Sequence, residues 1–517
     1  MSLNQSMNIT LGSLRNNQYA LTVVAQNISN VHTEGYIRQK VNFETNPYTT
    51  DCENVISTIK GMNGASVSSL TDFKDDNLFK DLIGKNADAE YYNKLADALG
   101  DLSDISDDLG DNGLNAVLSD FYAASANLEK YPTDISIRQQ FVIAAENVAE
   151  RFNQLSTRYS NFKEEKINAI EFDTGTINNL FKKLSLANKN YIDTNGSPSA
   201  ESDINNILKE LSNYTNVDAR RNTNGTVDLY IGNTEVVSAS KLNFTLKADI
   251  NTAAENAVQF KLVSTEKNGP VINEGVNEAF AGGSMKVNLQ IVNGTGGSFS
   301  NVNDLMSSLN AAAKAFAEEM NNIQTYDNGD KFAASITTDG ATGDLILEKS
   351  THKLFETSDG SSTFNASNIK INNDIYKNPY LVAAARIDLN NYKDEETGAI
   401  DPNWVKAIGN SDNAVEFTNL KNKKICSIDG SGVNNATLSD YLLYNSSKNA
   451  KEAGDAEGDA DMFQAIANSA AENYSNLVGV NLDEELADMI KYQRSYEASA
   501  KLFSVIDSLM VTIINMV

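Results

Sequence analysis

The two ends of the chain carry the feature that most limits how it can fold. Met7, Leu14, Leu21 and Ile28 recur at intervals of seven, with Leu3, Val24 and Val31 on the companion positions of the same heptad. At the far end Leu482, Met489, Tyr496, Phe503, Met510 and Val517 repeat that interval, joined by Leu486, Ala500 and Ile514. Each pattern predicts a helix with one thin apolar seam, and such a helix is marginal in water unless something covers the seam. The second helix has a marked start, because Asn481, Asp483 and Glu484 together resemble a capping box that satisfies the free N–H groups. Two readings stand. Either each seam packs into an ordinary bundle core, or the ends pair with each other; a pair so thin needs neighbouring copies, and self-assembly follows.

More helices lie between the ends. Leu114, Val117, Leu118, Phe121 and Leu128 form one amphipathic face, closed by the break Tyr131-Pro132-Thr133-Asp134. Beyond it Phe141, Ala145, Val148, Phe152, Leu155, Tyr159 and Phe162 predict a rod-like helix that continues through Leu180, Leu184 and Tyr191. Ile204 to Tyr214 and Leu305 to Ile323 give two further helices. Alternation of period two around Leu242 to Leu246, Val258 to Leu262 and Met285 to Ile291 predicts half-buried strands, with shorter candidates at Leu345 to Leu347 and Ile369 to Ile371. The predicted fold class is mainly α with β-rich insertions: N- and C-terminal helices paired as a coiled coil, a long helical-bundle domain, and central β domains. The expected division is 1–35 with 480–517 as the terminal coiled coil, and 36–216 with 302–326 and 377–479 as the helical body. The remaining pieces are a β-rich segment, 217–301, and a small β-rich insertion, 327–376.

Composition removes whole classes of function. Lys and Arg number 42 against 69 Asp and Glu, a formal charge of −27, which repels phosphate backbones and anionic lipid. Two His and two Cys leave little material for imidazole catalysis, a His-rich metal site or a disulfide framework. Cys52 and Cys426 read as free thiols. No basic segment precedes an apolar run at the N-terminus, so no Sec-type signal is expected. The apolar stretch Leu502 to Val517 has 16 residues and contains Asp507, too short and too polar to span a bilayer.

Most motif-like stretches have plain readings. Asn293-Gly294-Thr295-Gly296-Gly297 lacks a strand-to-helix setting and a following Lys, so it reads as a loop. Asp327-Asn328-Gly329-Asp330 lacks the distal Glu of a calcium loop and reads as a turn. Asp101, Asp104, Asp107, Asp108 and Asp111 read as a solvated face, and the run from Asp455 to Asp461, broken by Gly and Ala, as a loop. His32 and His352 have no nucleophile elbow for a triad. Trp404 beside Pro402 anchors a local cluster. No catalytic, cofactor-binding or metal residues are assigned.

Ala25-Gln26-Asn27-Ile28-Ser29-Asn30-Val31-His32-Thr33-Glu34-Gly35-Tyr36-Ile37-Arg38-Gln39 differs in kind. It leaves the seam helix through Asn30, reaches a glycine able to adopt positive φ, and then places an aromatic ring and a forked cation in extended chain. The stretch resembles the N-terminal signature of bacterial flagellar axial proteins. Together with Gly479-Val480-Asn481-Leu482-Asp483-Glu484-Glu485, the run Tyr492 to Lys501, and the stretch from Pro132 to Leu155, the chain resembles the flagellar hook-associated protein 1 family, the hook–filament junction proteins. The resemblance covers roughly residues 1 to 45, 110 to 215 and 475 to 517 and is weak in the β-rich centre. Cys52 and Cys426 depart from the pattern of exported axial proteins.

The resemblance implies a structural, non-enzymatic protein at the junction of flagellar hook and filament, outside the cell. It would be exported by the flagellar type III apparatus without a cleaved signal, aided by an export chaperone on the C-terminal helix. Implied partners are further copies of itself, the hook protein and hook-associated protein 3; no cofactor, nucleic acid or membrane insertion is implied. The assembly residues expected are Leu14, Leu21, Asn27, Ile28, Asn30, Gly35, Tyr36, Arg38 and Gln39 at the N-terminal end. At the C-terminal end they are Asn481, Leu482, Leu486, Met489, Tyr496, Phe503 and Met510. Competing readings are another rod or hook subunit, a surface adhesin displaying the β insertion, and a glycan hydrolase on an axial frame.

Overall fold

A computed structural model describes residues 3–33, 35–47, 62–106, 113–251, 257–273, 275–280, 282–294, 299–428 and 434–516. The chain opens with α1 (Leu3–Ser29), a hairpin of β1 (Gln39–Pro47) and β2 (Met62–Asp72), then α2 (Asp76–Ser106), α3 (Leu114–Lys130), α4 (Ile135–Asp193) and α5 (Pro198–Ser212). Two antiparallel sheets follow. The first has β3 (Asp218–Arg221), β4 (Val227–Ile231), β5 (Thr234–Ser238) and β6 (Lys241–Leu242) in sequence order. The second has β7 (Phe244–Asn251), β8 (Ala257–Ser264) and β9 (Val271–Ile272). After α6 (Val276–Ala279), α7 (Gly283–Asn293) and α8 (Val302–Gln324) come β10 (Lys331–Thr338), β11 (Leu345–Lys349), β12 (Phe355–Thr357) and β13 (Ile369–Ile371). The chain closes with α9 (Asn373–Lys377), β14 (Ala385–Asp388), α10 (Asp412–Asn419), α11 (Leu438–Val478) and α12 (Leu482–Met516). The small sheets have the orders β11-β10-β14 and β12-β13.

The spine is α4, 59 residues long. It starts at the expected break, where the Asp134 carboxylate accepts the backbone N–H groups of Ser136 and Ile137. Its first half, through Phe162, lies in a core with α3, α8 and α10, where Phe121, Phe141, Phe152, Phe316 and Phe417 meet edge-on or tilted. Its second half, from Ile167, lies in another core with α5, α7 and the two central sheets. One helix therefore holds both halves of the body. Arg138 near its start is buried and donates to the carbonyls of Pro132, Tyr380 and Val382; burial pushes its guanidinium down to about 10, so it stays charged at neutral pH.

Two expectations fail. Met285, Val287, Leu289 and Ile291 belong to α7 and not to a strand. This helix is wedged against α2 and α4 and is buried almost all round, so large apolar residues fall at every other position without signalling a pleat. The acidic run Asp455 to Asp461 lies inside α11 and not in a loop. Its carboxylates face solvent while Ala456 and Ala460 are buried, small residues four apart that let α11 approach α2 closely; Tyr92 and Phe463 stack beside them at 4.0 Å. Tertiary contact overrides the weak helix propensity of Gly454 and Gly458.

Other expectations hold where they can be read. Asp327 accepts the N–H of Gly329, whose φ is +89°, in a turn. Trp404 meets Phe332 edge-on in a local cluster. Cys426 is a buried free thiol, pushed up to about 11 by burial, whereas Cys52, Asp107, Asp108, Asp111 and Thr295 to Gly297 lie outside the described residues. Among the described residues no helix is long and apolar enough to cross a membrane.

Glu90 of α2 and Asp173 of α4 are half-buried, and burial raises both carboxyls; Lys94 opposes the rise in each, while a nearby acid adds to it, Asp97 for Glu90 and Glu90 for Asp173. A carboxyl raised in the folded state binds its proton more tightly there than in the unfolded chain. Its contribution is therefore complete below the unfolded value and is lost as pH rises through the folded one. Asp173→Asn keeps an acceptor for the Ser284 hydroxyl. It is expected to raise the melting temperature at pH 7 and to lose that advantage near pH 3; an equal gain at both pH values would show that charge is not the cause.

Candidate assembly joint at the chain ends

The ends pair antiparallel: Asn27 of α1 bonds Glu485 of α12, while Ser13 bonds Ser499. The face differs from the predicted one. In α12 the buried residues are Glu485, Tyr492 and Ile506, which with Ser499 form a second heptad line. Met489, Phe503 and Met510 flank it half-buried, whereas Leu482, Leu486, Tyr496 and Ile514 are exposed and not in the seam. In α1 the buried residues are Thr10, Asn17, Ala20, Val23, Val24 and Asn27, with Leu14, Leu21 and Ile28 half-buried. The shift has a physical cause. The β1–β2 hairpin packs on α1 as well, so Val41 joins Ala20, Val23, Val24 and Tyr492 in one small core. A helix covered on two sides turns the strip between its two partners inward.

The sequence motif builds the joint where α1, β1 and α12 meet. Buried Asn27 donates to the Gln39 carbonyl (2.8 Å) and accepts the Gln39 N–H (3.1 Å), pairing with β1 as a neighbouring strand would. Its Oδ1 also accepts the Tyr36 hydroxyl at 3.0 Å, and its Nδ2 donates to Glu485 Oε2 at 3.0 Å. Arg38 reaches across with Nε on Glu485 Oε1 (2.7 Å) and Nη1 on Glu484 Oε2 (2.6 Å), its guanidinium above the Phe73 ring. Burial draws the Arg38 pKa down and the two carboxylates more than reverse that, so the net direction is up. Only 3% of the Glu485 side chain is exposed, against 60% for Glu484, so Glu485 is the partner that matters.

Asn481 caps α12 by accepting from Asp483 and, at 3.5 Å, from Glu484; the Glu484 carboxylate turns to Arg38, so only half of the expected box forms. Asn30 bonds back to the Gln26 carbonyl and accepts the Thr33 hydroxyl at the helix exit. Gly35 has φ +74°, and a Cβ there would lie 2.1 Å from Asn206 Oδ1 of α5. Arg38 N–H donates to the Val478 carbonyl at the end of α11, tying the outgoing and returning chains together. A cleft of about 380 Å³ beside this tie is lined by Val31, Tyr36, Phe79, Asn206 and Tyr474, among others.

The structure thus brings together Asn27, Tyr36, Arg38 and Gln39, with Gly35 beside them. It adds Glu485, Tyr492, Ile506 and Phe73, which the heptad reading missed. The interval of seven from Glu485 through Tyr492 and Ser499 to Ile506 was visible, but a carboxylate and a serine do not register as a seam. Among the described residues no group of His, Cys, Asp and Glu could hold a metal ion.

Comparison with known proteins points to one family. Residues 99–333 match the model of the flagellar hook-associated protein FlgK helical domain, and residues 471–516 match the flagellar basal body rod FlgEFG protein C-terminal model. Flagellar hook-associated protein 1 of Bacillus subtilis (strain 168) is 24% identical over 523 aligned positions, covering 96% of this chain and 95% of that one. Together these matches support the flagellar hook-associated protein 1 family. The flagellar hook junction protein FlgK from Burkholderia pseudomallei has the same fold, with a TM-score of 0.58 at 10% identity over 76% of this chain and 99% of that one. The rod-type C-terminal match begins in α11 and takes in all of α12, including the joint's Glu484 and Glu485.

Proposed function

We propose that this chain is a structural subunit of the hook–filament junction that assembles with further copies through its paired terminal helices. The observation that carries this is the surface of α12. Over 35 residues it buries three side chains among the described residues, while Leu486, Ile490, Leu502, Val505, Leu509 and Ile513 stand exposed. A helix so apolar on its outer side is uncovered in the monomer and needs neighbours. The terminal unit is residues 1–35 with 480–517, to which its packing adds the hairpin. The hook protein and hook-associated protein 3 are the proposed axial partners. Export through the flagellar type III apparatus with a chaperone on α12, and a place outside the cell, complete the reading. No enzymatic activity is proposed.

Deleting the gene is expected to leave cells with hooks but no filaments, and with flagellin monomers in the medium; normal filaments would end the proposal. A sharper expectation concerns Leu509, which is 49% exposed. Leu509→Asp should leave the thermal transition of the monomer within about 0.5 kcal/mol of wild type, as for other surface changes, yet sharply reduce the protein retained on isolated hooks. Phe503→Asp, half-buried beside α1, should lower both. Undiminished retention of Leu509→Asp would show that the outer face of α12 is not a contact surface.

A further inference from the structure

The outer face of α4 carries an apolar pattern that neither core uses. Phe172 is 74% exposed and Leu186 is 58% exposed, on a helix whose other large apolar residues in that half are buried as far as Leu184, with Tyr191 half-buried and Ile192 exposed only at its end. Phe172, Thr176, Asn179, Lys183 and Leu186 share one stripe by helical spacing. The C-terminal part of the stripe borders a shallow groove of about 360 Å³ with largely apolar walls, including Leu180 and Leu186, and Glu210 of α5 on its rim. A protruding ring and a cavity thus lie on one face of one helix, the cavity running from roughly 6 to 21 Å along the axis from the ring at the usual rise per residue.

The charges around them are opposite. Glu171 is exposed beside the ring, and Lys182 and Lys183 are exposed beside the groove. Among the described residues Glu171 and Lys182 have no ion-pair partner, and Lys183 has only Glu210 at 4.0 Å. From this complementarity we infer that the groove receives Phe172 of a second copy of this chain, with that copy's Glu171 against Lys182. The inference rests on the self-assembly reading and adds a lateral contact between bodies to the one through the terminal helices. Each copy offers both a knob and a groove: used once per neighbour the contact produces a ring or a helical array, and exchanged reciprocally between two antiparallel copies of α4 it closes a pair.

The test places a photoreactive benzoylphenylalanine at position 172 of the full-length protein in otherwise normal cells and irradiates intact flagella. The expected product is an adduct of two copies whose linkage maps to residues 180–186. Glu171→Lys and Lys182→Glu should each lower its yield several-fold, and the two together should restore it. Linkage to another protein, linkage to a different part of this chain, or no adduct from a variant still retained on hooks would each overturn the lateral contact while leaving assembly through the termini intact. Failure of the wild-type chain to be retained on hooks would instead overturn the assembly reading itself.

Discussion

Arg38→Met is expected to release α12 from β1 and to destabilise the terminal unit by about 3 to 5 kcal/mol, the usual cost of leaving a buried charge without its partner. Glu485 is the reason. Its side chain is 3% exposed, and with Arg38 gone only the Asn27 amide, among the described residues, remains bonded to it. Hydrogen exchange should accelerate in residues 20–33 and 482–495 while the amides of α4 keep their protection, because the small core around Val24 and Tyr492 is separate from the two cores of the body. Glu485→Leu combined with Arg38→Met should recover part of the loss, since it removes the stranded charge as well. Unchanged exchange in both segments of the single variant would mean that the ion pair is incidental and that hairpin packing alone holds the joint. Retention on hooks should follow the exchange result, with the single variant much the weaker.

Gly35→Val should be almost as severe, for a different reason. At φ +74° a β-branched residue costs on the order of 1 to 3 kcal/mol, and the added Cβ would overlap the Asn206 amide. The chain at this point leaves α1 and must reach Tyr36 and Arg38 in the right direction. Strain here therefore acts on the same bonds as the first variant without touching them. Tyr36→Ala, which removes the hydroxyl bond to Asn27 and the ring but leaves the backbone free of strain, should be milder. The measurement is the amount of each variant in the medium against that on isolated hooks, with Gly35→Ala in an Asn206→Gly background separating overlap from backbone strain. If that pair behaves as wild type, the overlap dominates; if it remains poorly retained, the positive φ does. Equal retention of wild type and Gly35→Val would show that the glycine is dispensable.

Much of the frame was legible in the sequence, and the misses share one cause. The Asp134 break and the long heptad of Phe141 to Phe162 marked α4 because a single helix repeats one pattern and its cap is local. The alternation in Met285 to Ile291 misled because full burial erases the difference between a pleat and a helix. The run Asp455 to Asp461 misled because its small residues gain their value only when α2 lies against them.

At the joint the same division applies. Helix periodicity, positive φ and side-chain chemistry are properties of neighbours along the chain, so both terminal helices, the turn at Gly35, and the ring, guanidinium and amide that follow it are readable without tertiary contacts. Which face of each helix is inside and which carboxylate Arg38 meets are set by packing between distant parts of the chain. Both depend on the hairpin that packs on α1 and on a helix that begins more than 440 residues later at Leu482, and burial against such distant partners leaves no local signal.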